Sequence, residues 1–204
     1  MTDQSADRLA RWLKLADRLL RPVENGLNLL GGTLVFGLMF LGMVQIVLRT
    51  VFRAPIFGYI DIVEFSMVGF AVLGISYVQR LGGHVRMEIV IGAIHGRMRW
   101  LTEAFGTAVA MAIVAVLIPY AYNHFDRAFS FGDSTIDIEL PTWPGKLLVP
   151  ITLAILLARL TVQFLGYWRL YRNPDAEPVA VPVAKTIAHQ AEEEISGSAD
   201  AGAR

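Results

Sequence analysis

The sequence predicts an all-α integral membrane protein: four transmembrane helices in a bundle, preceded by an N-terminal amphipathic interfacial helix. Three observations predict it. Apolar residues make up 54% of the 204, giving a mean hydropathy of +0.49. The excess gathers in four blocks, Leu27–Leu48, Ile62–Val78, Trp100–Tyr122 and Leu147–Tyr167, each about as long as a helix must be to cross a roughly 30 Å hydrocarbon core. The remaining polar sequence is too short to clothe four such helices in water, which argues against a soluble bundle. Finally, the formal net charge is zero, but the basic residues are segregated along the chain.

The first element is the N-terminal segment, residues 1–24. Leu9, Trp12, Leu13, Ala16, Leu19 and Leu20 recur at helical spacing, while Arg8, Arg11, Lys14 and Arg18 lie mostly off that face. Ser5 is a fair N-cap and Pro22 a stop signal. The pattern predicts a helix lying on membrane lipids with Trp12 at headgroup depth. The four-span membrane domain, residues 25–172, follows, with spans at about 27–48, 61–79, 100–122 and 146–168. Arg49 ends the first span, and Pro55 and Gly58 break the helix before the second opens near Asp61. Gly82 and Gly83 let the chain leave the second helix cheaply. The connector "NHFDRAFSFGDSTIDIELPTWPGK" leads to the fourth span. Residues 173–204 are rich in Pro, Ala and acid and read as a disordered tail, with a short helix near His189–Ile195 its one candidate for order. No internal repeat supports an inverted-repeat transporter core. The polar first two dozen residues predict no cleavable signal peptide.

Orientation follows from the basic residues, which collect in cytoplasmic loops. Arg8, Arg11, Lys14, Arg18 and Arg21 precede the first span; Arg80, Arg86, Arg97 and Arg99 lie between the second and third; Arg169 and Arg172 follow the fourth. The connector between the third and fourth has Arg127 against Asp126, Asp133, Asp137 and Glu139. Both termini are therefore expected in the cytoplasm. Arg49 and Arg53, at the outer end of the first span, dissent from the pattern.

No catalytic constellation emerges, so no enzyme is expected. The chain has no cysteine, which excludes disulfides and thiolate chemistry. None of His84, His95, His124 and His189 lies mid-span, as a haem anchor would want. Ser66 and Ser76 have no accompanying base. Neither a bound cofactor nor a nucleic-acid partner is expected. The charges that enter the spans are few and tend to pair or face protein. The predicted topology places Arg49 with Glu64 in the outer leaflet and Glu103 with Arg159 in the inner one, as pairs that lock helices together or face a partner subunit. Ala104, Ala108 and Ala112, Gly106 and Ala110, and Thr33 and Gly37 are spaced for close helix approach.

The stretch "VLRTVFRAPIFGYIDIVEF", from Val47 to Phe65, resembles the DctQ-like small membrane subunit of tripartite ATP-independent periplasmic (TRAP) transporters, in its Arg49, Phe52, Pro55 and Glu64. Gly74, Arg80, Gly82 or Gly83, His84, Val85, Met87 and Glu88 are similar to that family's next motif, and Pro141, Trp143 and Pro144 to the segment before its last span. Glu88 stands where Asp is commoner, and Val63 where a second acid often precedes Glu64. The likeness covers about residues 25–172. It implies a bacterial inner-membrane protein that partners a large membrane subunit, which binds sodium ions and substrate, and a periplasmic substrate-binding protein that captures a small organic acid. This chain would be the scaffold, with His84 and Glu88 in a cytoplasmic docking loop. Two other classes remain: an anchor subunit of a redox complex, which a haem band would reveal, and a standalone small transporter, which would show flux alone in liposomes.

Overall fold

The computed structural model describes residues 3–82, 97–172 and 179–181. Its long elements are α1 (Asp3–Val47), a π-helical turn (Leu48–Phe52), α2 (Tyr59–Leu73), α3 (Ile75–Leu81), α4 (Arg97–Phe131) and α5 (Trp143–Arg172). Among the described residues the one departure from helix and loop is an isolated bridge between Ser134 and Pro141. Four stretches, Ala10–Phe52, Tyr59–Leu81, Met98–Phe131 and Trp143–Arg172, are long and apolar enough to cross a membrane.

Their outward faces carry bulky apolar groups: Phe36 and Met39 on α1 are 72% and 70% exposed. Lipid tails are as apolar as these side chains, so this exposure needs no further partner in a bilayer.

Helix ends follow local chemistry. Gly132 (φ +69) closes α4 in the left-handed region, and the Asp133 N–H returns to the Ala128 carbonyl at 3.0 Å, the longer bond of a Schellman motif. The sequence puts the end of this helix near Tyr122. It runs to Phe131 because nothing stops it earlier: Pro119 is absorbed inside it, and Gly132 is the first residue suited to the left-handed cap. Gly82 (φ +73) ends α3 the same way, its N–H directed at the Gln79 and Val78 carbonyls.

The expected stop at Pro22 is also corrected, since α1 continues through it. Proline removes one N–H and leaves the Arg18 carbonyl without its helical partner. Arg18 is exposed, so that carbonyl is not trapped in a dry core. At 45 residues α1 is about 68 Å long, well beyond a roughly 30 Å core. The N-terminal segment and the first span are therefore one helix.

α5 is the hub. It packs on α1, α2, α3 and α4, whereas α4 meets little besides α5. Val114 of α4 and Leu156 and Leu160 of α5 form one buried cluster, flanked by Met111, Ile118 and Leu153. Ala104 is buried in this seam, but Ala112 and Gly106 face outward. On α1, the contact with α2 uses Gly31 rather than Thr33 and Gly37, which are exposed. A Cβ on Gly31 would lie 3.4 Å from that of Leu73. A second cluster joins Leu13, Val162 and Val179. Of the segment 173–204 expected to be disordered, only 179–181 is described, and there Val179 and Ala180 pack against α1 and α5. The candidate helix near His189–Ile195 lies outside the described residues.

Candidate functional site

The molecule has two ends. One, the basic end, carries Arg80, Gly82 and Arg172; the other, the loop end, carries the connections at 53–58 and 132–142. Chemistry concentrates in a buried charge cluster toward the basic end.

Leu13, Asp17, Leu20 and Glu24 fall at i, i+4, i+7 and i+11, so they share one face of α1. Leu13, Asp17 and Glu24 are buried. α5 presents Arg159 and Gln163, both fully buried, from just past its middle. The Arg159 guanidinium spans two carboxylates. Its Nη1 donates to Asp17 Oδ1 at 2.6 Å and its Nη2 to Glu24 Oε2 at 3.2 Å. Nε lies 3.1 Å from Glu24 Oε1, off the hydrogen-bond direction, and adds an ionic contact only.

Glu24 also receives Ser76 Oγ at 3.0 Å and faces Arg80 Nη1 at 3.1 Å. Arg80 Nη2 donates to Asn25 Oδ1 at 2.6 Å. Gln79 Nε2 donates to Gln163 Oε1 at 2.8 Å, and Gln163 Nε2 to the Gln79 carbonyl at 3.2 Å. On the exposed side Arg21 holds Asp17 at 2.6 Å.

The buried part of the cluster balances its charge, Asp17 and Glu24 standing against Arg159 and Arg80, while Arg21 adds a third cation at the exposed edge. Buried ions carry a desolvation penalty that is repaid only with good geometry and satisfied lone pairs. Glu24 meets that condition, with three donor groups from two other helices. The arrangement ties α1, α3 and α5 together. It leaves Arg159 unable to take a bound anion, because its N–H groups already meet two carboxylates.

The loop end is built differently. Asp61, buried at the start of α2, accepts the backbone N–H groups of Asp137 and Ile138 at 3.0 and 2.9 Å. Gly58 sits at φ +73, and a Cβ there would come within 2.3 Å of Ile138 Cγ2. The Ile56 N–H donates to Gln45 Oε1 at 2.8 Å, and Lys146 Nζ meets Asp133 Oδ2 at 2.8 Å. The two connections thereby lock to each other. A cavity of about 570 Å³ opens beside them, lined in part by Gln45, Arg49, Tyr59 and Asp137.

The residues singled out by sequence divide as follows. Arg80 and Arg159 join the buried cluster, where Arg159, expected beside Glu103, meets Asp17 and Glu24 on the α1 face turned to α5. Glu103 sits half-buried on α4. Among the described residues no ion pair joins Arg49 to Glu64; both side chains are exposed on the surface of the bundle. The π-helical turn carries Arg49, and Arg53 just after it is left-handed (φ +50). His84 and Glu88 lie outside the described residues. Among those described, no three His, Asp or Glu side chains converge as a metal ion would require.

Sequence reasoning missed Asp17 and Glu24. Their signal was present: two acids at i and i+7 on the same stripe as Leu13 and Leu20, facing a chain with a lone arginine inside its last span.

The family model described as the DctQ component of tripartite ATP-independent periplasmic transporters matches residues 38–170. No curated protein and no solved structure matches the chain.

Proposed function

This chain belongs to the DctQ component family of tripartite ATP-independent periplasmic transporters, and from that premise we propose that it is the small scaffold subunit of such a transporter. It holds the large membrane subunit in place while that subunit carries out sodium-driven uptake of a small organic acid delivered by a periplasmic binding protein. It sits in the bacterial inner membrane with the basic end toward the cytoplasm, as the segregation of Arg and Lys favours.

One observation carries the reading. A carboxylate solute needs convergent donors near the midplane. The arginine nearest the middle of this bundle is fully buried and taken up by Asp17 and Glu24. Its role is to fasten helices, which suits a fixed support and not a moving binding site.

The test is competition uptake in cells carrying the full three-part system. Deleting this chain should abolish uptake. Arg159→Lys should lower assembly or rate and leave the ranking of competing solutes unchanged. A changed ranking would place this subunit in the binding site and end the scaffold reading.

A further inference from the structure

In a bilayer an exposed apolar face reveals nothing about partners, because lipid covers it at no cost. An exposed carboxylate does reveal something. On α2, Ile60, Glu64, Met67, Val68 and Ala71 form one lengthwise stripe, all outside the bundle contacts: Ile60 is 68% exposed and Met67 52%, and Glu64 and Ala71 are exposed too. Glu64 has no ion-pair or hydrogen-bond partner among the described residues.

Its depth makes that costly. The span Tyr59–Leu81 has 23 residues, about 35 Å of helix. Centred on a roughly 30 Å core, it puts the Glu64 backbone about 5 Å below the hydrocarbon boundary. Lys and Arg reach the interface on long stems; glutamate has two methylenes. A lipid phosphate carries the same sign and cannot neutralise it. The nearest cations in sequence, Arg53 and Arg49, make no ion pair with Glu64 among the described residues, although Arg49 lines the loop-end cavity that Ile60 also borders.

We propose that the Ile60–Glu64–Met67–Ala71 face of α2 is the docking surface for the large membrane subunit, and that its occupant is an apolar helix presenting one cationic side chain at the depth of Glu64. This rests on the scaffold reading above and adds to it the face used and the charge recognised. Ala71 lets the partner backbone approach, Ile60 and Met67 supply dispersion contacts, and Glu64 fixes register. A desolvated charge pair gives specificity even where its net contribution to affinity is small.

The experiment co-expresses this chain, tagged, with the large membrane subunit of the same transporter, and measures how much of the latter is retained on purification in mild detergent. Glu64→Lys should reduce retention roughly ten-fold or more, because it sets like charges together in a dry interface, and Glu64→Gln should reduce it less. Each variant purified alone should keep the wild-type helical signal and melting temperature. A photo-reactive benzoylphenylalanine in place of Met67 should cross-link to the large subunit; this arm decides the matter if Glu64→Lys proves unstable alone. Wild-type retention by a well-folded Glu64→Lys chain, or no subunit adduct from position 67, would overturn the assignment of this face and leave the scaffold reading intact. Failure of the wild-type chain to retain the large subunit would overturn both.

Discussion

At the scale of single residues, the molecule turns on Arg159. It is fully buried and contacts carboxylates more than a hundred positions away in sequence. Arg159→Met would strand Asp17 and Glu24 beside a side chain that can satisfy neither, and removing one partner of a buried pair typically costs about 3–5 kcal/mol. Arg159→Lys keeps the charge, but a single ammonium cannot span both acids as the planar guanidinium does, so an intermediate loss is expected. Unfolding of the purified subunit in detergent measures both. Adding Asp17→Asn should recover part of the Arg159→Met loss; strictly additive effects would mean the two side chains are not coupled. Arg49 and Glu64 should behave oppositely. No ion pair or hydrogen bond joins them among the described residues, so Arg49→Ala and Glu64→Ala should add in the same assay to within about 0.5 kcal/mol. The sequence made Arg159 visible as a charge needing a partner. Leaflet depth alone could not choose that partner, because Glu103 and Glu24 both lie toward the basic end. The choice depends on which face of α1 turns to α5, a tertiary fact.

At the scale of elements, the number of helices long and apolar enough to span was legible because hydrocarbon thickness sets length and composition together. Ends were less legible. Proline reads as a stop, yet α1 passes through Pro22 with Asp17 on one side and Glu24 on the other held by the same guanidinium. That clamp offsets the lost backbone hydrogen bond, which a window of local sequence does not contain. The helical period of the N-terminal segment likewise predicts one apolar surface, whereas the structure splits it. Leu13 is 3% exposed and packs on Val162 and Val179, while Trp12 is 71% exposed. Leu13→Ala should therefore cost about 2–3 kcal/mol in detergent unfolding, and Trp12→Ala no more than about 0.5 kcal/mol; equal losses would contradict the split. Docking of 179–181 over Gly166, where a Cβ would come 2.9 Å from the Val179 carbonyl, was not foreseeable from a tail rich in Pro and Ala. At the loop end, Gly58→Ala must both hold φ +73 and displace Ile138. A loss on the order of 1–3 kcal/mol is expected from the strained backbone, read as a lower melting temperature.

At the scale of the whole molecule, the four spans are not equivalent walls of a closed bundle. α5 touches every other long helix, and α4 leans on α5 with little contact elsewhere. The chain therefore divides into an N-terminal unit of α1, α2 and α3 and a C-terminal hairpin of α4 and α5. What joins the two is mainly the seam along α5. Apolar contact supplies little drive for association in lipid, where tails compete on equal terms, so polar links and close packing must do most of it. The seam contains such links: Arg159 to Asp17 and Glu24, and the paired amides of Gln79 and Gln163. All of them cross from one unit to the other. It follows that residues 1–90 and 91–204, co-expressed as separate chains with a tag on the first, should reassemble and co-purify. The same experiment with Arg159→Met should lose most of the second fragment, and Gln163→Leu should lose less, since a neutral amide pair contributes less than a charge bridging two acids. Charge-retaining Arg159→Lys should fall between them. Fragments that stay associated in the Arg159→Met variant as firmly as in the wild type would show that apolar packing along α5, and not the buried cluster, unites the two halves.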